Sequence, residues 1–130
     1  MSFAMAQYRT NEYQTASPAK IIVAFYDGAI RFMRKGSDAL QAKDFALKGA
    51  HLSRAHAIVS ELRATLDPSH SKQLCEELDR LYVFVLDCIT EANLKADSQR
   101  LSPAISVLEE LRSAWASIAE EPAVRLVGAP

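Results

Sequence analysis

A chain of 130 residues is long enough for one hydrophobic core and too short for two, so we expect a single domain over residues 1–130. Its 49% hydrophobic and 24% charged shares are those of an ordinary globular domain. A formal net charge of −1 gives no reason to expect a nucleic acid or an anionic membrane as partner.

The absence of targeting signals and the spacing of the two cysteines predict a cytoplasmic protein. The first residues lack the pattern of a secretory signal, and the longest uninterrupted apolar stretch, Ile21 to Tyr26, is far too short to span a bilayer. Cys75 and Cys88 fall on one predicted helix, and their separation along it rules out a disulfide between them. We interpret both as small buried residues in a reducing compartment.

The first predicted helix covers residues 17–42. Ser17 is placed to cap its N-terminus, and Pro18 stands at the first helical position, where its missing N–H costs nothing. A spacing of three or four predicts one buried face, made by Ile22, Phe25, Ala29 and Met33. Gly28 costs about 1 kcal/mol relative to alanine inside a helix. We therefore expect another backbone to approach closely there.

The second and third helices show the clearest apolar periodicity. The second is predicted over residues 44–66, with Asp44 as its N-cap. Its buried face is predicted to contain Leu52, Ala55, Val59, Leu62 and Leu66. Ser71 is the predicted N-cap of the third helix. Its core stripe is predicted to contain Leu74, Leu78, Leu81, Val85, Cys88 and Ala92.

The fourth helix is predicted to begin at Ser102 and Pro103, a second pairing of a cap residue with proline, and to end at Pro122. Trp115 belongs to its apolar face, and we expect its indole to be buried. The links between helices are short, so consecutive helices should pack antiparallel. The predicted fold is an all-α, up-down-up-down four-helix bundle over residues 17–119.

Residues 1–16 and 120–130 fall outside the bundle pattern. The first segment holds Phe3, Met5, Tyr8 and Tyr13, which is more apolar surface than a solvated tail needs. We predict a partly ordered N-terminal arm that folds back over a groove beside the first and third helices. Residues 120–130 form the predicted C-terminal tail.

The first and third helices carry more apolar residues than one core stripe requires. On the first helix these are Ile21, Ile22, Val23, Phe25, Tyr26, Ile30, Phe32 and Met33. The third has a second stripe of Val83, Leu86, Thr90 and Leu94. This excess predicts grooves for a partner helix. The alternatives are burial under residues 1–16 or in the interface of a homodimer.

Catalytic, cofactor and metal motifs are missing from the sequence. A di-iron bundle needs Glu-x-x-His on two helices, and no glutamate of the predicted helices has a histidine three residues later. Asp27 and Asp87 are better interpreted as solvated surface charges than as an acid/base pair. We predict that the chain is not an enzyme and uses no cofactor or metal.

A histidine phosphotransfer module is the one enzymatic alternative within helical bundles. His51 or His56 would have to accept the phosphoryl group. Neither is followed by the Lys-Gly pair that is typical of such modules. We therefore expect both to be ordinary surface or boundary histidines.

Four blocks of sequence resemble one family in order and spacing. They are Thr15-Ala16-Ser17-Pro18 with Tyr26-Asp27-Gly28-Ala29-Ile30-Arg31, then Leu78-Asp79-Arg80-Leu81-Tyr82, Glu91-Ala92-Asn93-Leu94-Lys95-Ala96-Asp97 and Leu111-Arg112-Ser113-Ala114-Trp115. Together they resemble the FliS family, the export chaperones of flagellin. Ser71-Lys72 replaces a frequent Gly-Gly pair, and Leu86-Asp87 replaces an often basic pair.

The resemblance implies a cytoplasmic chaperone that binds the C-terminal segment of flagellin, prevents premature polymerisation and delivers it to the flagellar secretion apparatus. Export-gate and regulatory proteins are the further partners it implies. On the same basis we expect partner contacts from Tyr8, Ile22, Tyr26, Leu86, Asn93 and Leu94. The remaining alternative is a general helical adaptor or dimerisation module, which would form a stable homodimer without flagellin.

Overall fold

The computed structural model describes residues 18–120, and this part of the chain contains helices and no strand. The helices are α1 Pro18–Gln41, α2 Phe45–Ala64, α3 Lys72–Lys95 and α4 Leu101–Ala119, with a 3₁₀ turn at Ser98–Arg100 before α4. The Ser17 cap, the arm of residues 1–16, Pro122 and most of the C-terminal tail lie outside the described residues.

Each helix packs against its neighbours in chain order, and α4 closes the ring against α1. Short links reverse the direction of the chain three times, so α1 and α3 run one way and α2 and α4 the other. The prediction of an all-α, antiparallel four-helix bundle is confirmed. The α1–α2 face lies across the bundle from the α3–α4 face.

Two of the predicted caps are confirmed. The Asp44 carboxylate accepts a hydrogen bond from the backbone N–H of Leu47 at 3.1 Å, and the Ser71 hydroxyl accepts one from Leu74 at 3.1 Å. The predicted cap at Ser102 is wrong. α4 already begins at Leu101 because the chain enters it through the 3₁₀ turn, whose N-cap is Asp97.

The core is a single cluster to which all four helices contribute. Its largest fully buried side chains are Tyr26, Met33, Leu52, Val59, Val85, Ile89, Leu101 and Leu108. Ile22, Phe25 and Phe32 pack half-buried against this cluster. The excess of apolar residues on α1 is therefore absorbed by the fold, and α1 exposes no large apolar side chain. Trp115 also packs against the cluster but is only half-buried.

The core stripe predicted for α3 is wrong in part. Its buried residues are Tyr82, Val85, Ile89 and Ala92. Leu74 is 52% exposed and Leu81 36% exposed, and Cys88 is half-buried. The helix is thus rotated so that Tyr82 and Ile89 enter the core. The heptad-spaced residues Leu74, Leu81 and Cys88 lie on the flank instead.

Close approach of α1 and α2 depends on glycine at Gly36 more than at Gly28. A Cβ atom on Gly36 would lie 2.4 Å from Leu52 Cδ2, a distance that real atoms do not reach. At Gly28 the nearest atom would be Ile58 Cδ1 at 3.3 Å. The prediction of a neighbouring backbone at Gly28 is therefore wrong, because the neighbour is the tip of a side chain.

A hydrogen bond between two tyrosines crosses the centre of the bundle. The hydroxyl oxygens of Tyr26 on α1 and Tyr82 on α3 are 2.6 Å apart, and both residues are buried. Burial raises the pKa of Tyr26, against smaller opposing effects of hydrogen bonds with Tyr82 and Trp115. Burial also raises the pKa of Tyr82, and the neighbouring Tyr26 adds to that rise. Both hydroxyls are therefore neutral in the folded protein over the physiological range.

The tyrosine pair predicts strong coupling between two substitutions. Tyr82→Phe removes one hydroxyl and leaves that of Tyr26 buried without this partner, which should cost about 1–3 kcal/mol of unfolding free energy. Changing both residues to phenylalanine removes both polar groups and should cost clearly less than the sum of the two single changes. Urea unfolding of the four proteins measures this. Additive losses would contradict the proposed pair.

The raised pKa values also predict a loss of stability in alkali. Below about pH 10 the two hydroxyls are protonated in both states, so their contribution is complete. Above it, the unfolded chain loses these protons while the folded chain keeps them, and the unfolding free energy falls by up to about 1.4 kcal/mol per pH unit for each tyrosine. The variant Tyr26→Phe/Tyr82→Phe should show a shallower fall. Parallel curves between the two proteins would refute this assignment.

Candidate partner-binding surfaces

Five of the six residues predicted to contact a partner lie within residues 18–120, and the structure separates them. Ile22 is half-buried near the start of α1, and Tyr26 is fully buried one turn later. Leu86 is half-buried against the core in the middle of α3, while Asn93 and Leu94 lie at its end. α1 and α3 run parallel, so Ile22 and Leu94 are about 25–30 Å apart along the bundle axis at 1.5 Å per residue.

Tyr8 lies outside the described residues. Tyr26 was predicted as a partner contact, but its side chain is fully buried and is part of the core itself. A fully buried ring cannot touch a partner while the bundle keeps this conformation. Tyr26 can influence binding only by setting the position of α1 against α3.

Asn93 and Leu94 line a shallow groove between α2 and α3. Its volume is about 250 Å³, and Leu52, His56, Ile89 and Thr90 are also in its walls. The Lys48 ammonium donates to the side-chain oxygen of Asn93 at 2.6 Å and to its backbone carbonyl at 3.1 Å. Asn93 therefore joins α3 to α2 at this end of the groove. The adjacent Leu94 side chain is apolar and is 81% exposed to solvent.

A longer apolar surface runs along the opposite flank of α3. Leu74, Leu81, Phe84 and Cys88 are spaced by seven, three and four residues, which places them on one side of the helix. We call these four residues the α3 apolar row. Phe84 is 42% exposed, and Ile118 at the end of α4, near Leu74 in the antiparallel arrangement, is 49% exposed.

A groove of about 610 Å³ extends this row towards the beginning of α4. Phe84 and Cys88 form its apolar side, and Pro103 and Arg100 belong to the opposite side. Burial raises the pKa of the Cys88 thiol, and the nearby carboxylates of Glu91 and Asp87 raise it further. The thiol is therefore kept protonated and acts as a small apolar group.

Polar links hold two of the bundle's four faces together. Across α1–α4, Arg112 pairs with Asp27 and Arg34 with Glu109 at 2.8 Å. Across α2–α3, Arg63 pairs with Asp79 at 2.5 Å, in addition to the contact between Lys48 and Asn93. Such exposed pairs contribute little energy individually, but they occupy the surface they cross.

The α3–α4 face has fewer such links. Within residues 18–120 its single ion pair joins Glu91 to Arg100 in the 3₁₀ turn, at 3.5 Å. The helices themselves are not connected by ion pairs along the length of the α3 apolar row. Four exposed large apolar side chains lie along this face, namely Leu74, Leu81, Phe84 and Ile118.

Asp27 was expected to be a solvated surface charge, and that expectation is incomplete. Its carboxylate accepts hydrogen bonds from the Arg112 guanidinium and raises the pKa of that group. Asp87 lies instead beside Cys88 in the α3–α4 groove, so the two aspartates do not form an acid/base pair. Four residues of the sequence blocks thus form two pairs, Tyr26 with Tyr82 and Asp27 with Arg112. This pairing was not recognised from the sequence.

The side chains of the two histidines on α2 pack against neighbouring residues and are only partly exposed to solvent. The ring of His51 stacks on that of Phe32 with centroids 5.9 Å apart, and both are half-buried. His56 Nδ1 lies 3.4 Å from the hydroxyl of Ser60. Within residues 18–120 no group of three potential ligands could hold a metal ion, and no helix there is long and apolar enough to cross a membrane.

The fold and its surfaces define a small helical bundle of the kind that presents apolar grooves to partner helices. The family model of the flagellar protein FliS matches residues 1–122. The chain belongs to the FliS family of flagellar secretion chaperones, whose role is non-enzymatic. This confirms the resemblance of the four sequence blocks.

Curated relatives come from several bacteria. The flagellar secretion chaperone FliS of Vibrio cholerae is 35% identical over 111 residues, covering 85% of this chain and 82% of the relative. FliS of Bacillus subtilis is 27% identical, with 83% and 80% covered, and FliSB of Pseudomonas aeruginosa is 28% identical, with 88% and 94% covered. A crystal structure of a bacterial flagellar chaperone matches with a TM-score of 0.76 at 23% identity, covering 92% of this chain and 97% of that one, and shows the same fold.

Two leucines on α3, one exposed and one packed against the core, should respond differently to replacement by aspartate. Leu94→Asp should leave the melting temperature within about 2 °C, because the side chain is mostly in water already. Leu86→Asp should lower it by about 5 °C or more, because it places a charge against the core. Equal melting temperatures would place Leu86 in solvent.

Proposed function

We propose that this chain binds the C-terminal segment of flagellin in the cytoplasm, prevents its premature polymerisation and hands it to the flagellar secretion apparatus. Membership of the FliS family supports the chaperone role. The observation that carries the binding mode is the exposed α3 apolar row, an apolar surface as long as three helical turns or more on the flank of a helix whose inner side forms the core.

The spacing of the row fits a helix as the bound ligand. Apolar anchors that recur every three, four and seven residues accept the matching stripe of an amphipathic helix. A flagellin segment that is disordered alone would fold as it binds, burying about 1,000–3,000 Å² and spending about 2–5 kcal/mol on its own ordering. Stoichiometric capping of this kind requires tight binding and no nucleotide or metal.

The residues predicted from the resemblance take different roles in this proposal. Leu94 offers a separate apolar contact on the α2 side of α3, near its end. The amide nitrogen of Asn93 can donate to a partner main chain while its oxygen keeps the bond to Lys48. Ile22 and Leu86 pack half-buried against the core. Tyr8 remains a proposed contact from the arm.

A second candidate function is a dimerisation or adaptor module. The same observation favours it, because an exposed apolar row can also pair with its copy in a second chain. Both uses can coexist if flagellin displaces the second copy. Sedimentation of the free protein, alone and with the flagellin segment, separates the two functions.

The binding test uses a purified C-terminal flagellin segment and isothermal titration calorimetry. Leu81→Glu and Phe84→Glu place a charge in the middle of the row, and each should weaken binding at least tenfold, or about 1.4 kcal/mol. Ala57→Glu is the matched control, because it adds the same charge at an exposed position on α2. It should change binding less than twofold. Thermal melts establish that each variant is folded.

Two results would count against the proposal. Folded row variants that bind the segment like the parent chain would remove the row from the binding site. A parent chain that does not bind the segment but forms a stable dimer, lost in Leu81→Glu, would favour the dimerisation module.

A further inference from the structure

Phe32, on the outer side of the α1–α2 pair, has three cations around its ring. The Arg31 and Arg54 guanidinium carbons lie 5.2 and 5.6 Å from the ring centroid, and the Lys35 ammonium nitrogen lies 6.0 Å from it. The stacked ring of His51 completes the group. We call these five residues the basic patch. All three cations are within the range of cation–π attraction, about 6 Å.

The cations of the basic patch are exposed and have no acidic partner among the described residues. Arg31, Lys35 and Arg54 each face solvent, and none of the ion pairs within residues 18–120 includes them. Asp38, a turn further along α1, makes no ion pair with them either. Arg31 and Lys35 also line the α1–α4 groove that contains Asp27, Asp38 and Glu109, but they make no ion pair with these carboxylates, unlike Arg34 and Arg112.

The patch belongs to a division of charge across the whole bundle. α1 and α2 together carry seven Lys/Arg and three Asp/Glu, whereas α3 and α4 carry four Lys/Arg and seven Asp/Glu. A nearly neutral chain is thus positive on one side and negative on the other. The positive side attracts an acidic partner at a distance and orients its approach.

We propose that the basic patch is a docking site for an acidic segment of a second protein, with carboxylates about one helical turn apart. Guanidinium groups bind carboxylates through two parallel hydrogen bonds, and the aromatic ring beneath them restricts their motion before binding. Three cations around one ring match two or three carboxylates in area and charge.

The composition of the patch favours protein over other anionic partners. A nucleic acid is held by a longer series of phosphate contacts. A lipid surface is bound by clusters of about four to eight cations. The basic patch has three cations. Phe32 is half-buried, so its ring is not exposed for insertion into a lipid surface.

This inference is independent of the proposed binding of flagellin. The patch lies on the α1–α2 face, across the bundle from the α3 apolar row, so the two surfaces can be occupied together. A chaperone loaded on one side would keep the other side available for an acidic receptor.

The test uses the full chain and a synthetic helical peptide of about 15 residues with glutamates at i and i+4, beside a peptide with glutamine at those positions. Amide chemical shifts on titration should change around Phe32 and His51. In fluorescence anisotropy at low salt, Arg31→Gln/Arg54→Gln should weaken binding of the glutamate peptide at least tenfold. Lys72→Gln/Arg80→Gln removes two exposed charges from α3 and should weaken it less than twofold.

The control pair isolates the site from net charge, because both variants lose two positive charges. The proposal is overturned if the two variants weaken binding equally, if the glutamine peptide binds as tightly, or if shifts map to α3 and α4. It is also overturned if phosphatidylserine vesicles or an oligonucleotide bind through the patch while the glutamate peptide does not. Self-association that Arg31→Gln/Arg54→Gln abolishes would assign the patch to a second copy. Unchanged binding of the flagellin segment by this variant is expected.

Discussion

The hydrogen bond between Tyr26 and Tyr82 constrains the structure more than any other single contact. α1 and α3 are diagonal in the bundle and do not pack side by side. The hydroxyl oxygens of the two tyrosines are nevertheless 2.6 Å apart in the core. Because a buried hydroxyl without a partner is costly, both side chains must point to the bundle axis. This fixes the rotation of α3. With Tyr82 inward, Leu81 and Cys88 turn to the flank, where they become available to a partner.

The four faces of the bundle consequently have different properties. Ion pairs cross the α1–α4 and α2–α3 faces, cations without an ion pair lie on the α1–α2 face, and an apolar row lines the α3–α4 face. The two polar-linked faces are occupied by contacts within the chain. The proposed partner contacts use the other two faces, which present different chemistries on opposite sides of the bundle. If both proposals hold, a small protein with one core combines apolar and electrostatic recognition without a second domain.

Hydrophobic periodicity predicted the helices, two caps and the bundle, because these depend on residues close in sequence. It did not predict the rotation of α3, since the row through Leu74, Leu81 and Cys88 and the row through Tyr82 and Ile89 both have helical spacing. The row that faces the core is determined by the hydrogen bond of Tyr82 with Tyr26, which is 56 residues away in the sequence. The basic patch depends likewise on Arg54 reaching Phe32 from another helix. Partner-contact residues chosen on the resemblance included Tyr26, whose burial required knowledge of its distant hydroxyl partner.

Gly36 has a consequence for the dynamics of the chain. Leu52 occupies the space that a Cβ atom would need, so α1 and α2 interlock over this turn. Local opening requires the separation of packed surfaces, and it is least favourable where they interdigitate. Backbone amides of α1 and α2 near this turn should therefore exchange with solvent deuterium only in rare global unfolding. The α1–α2 hairpin is in this sense the part of the bundle that opens last.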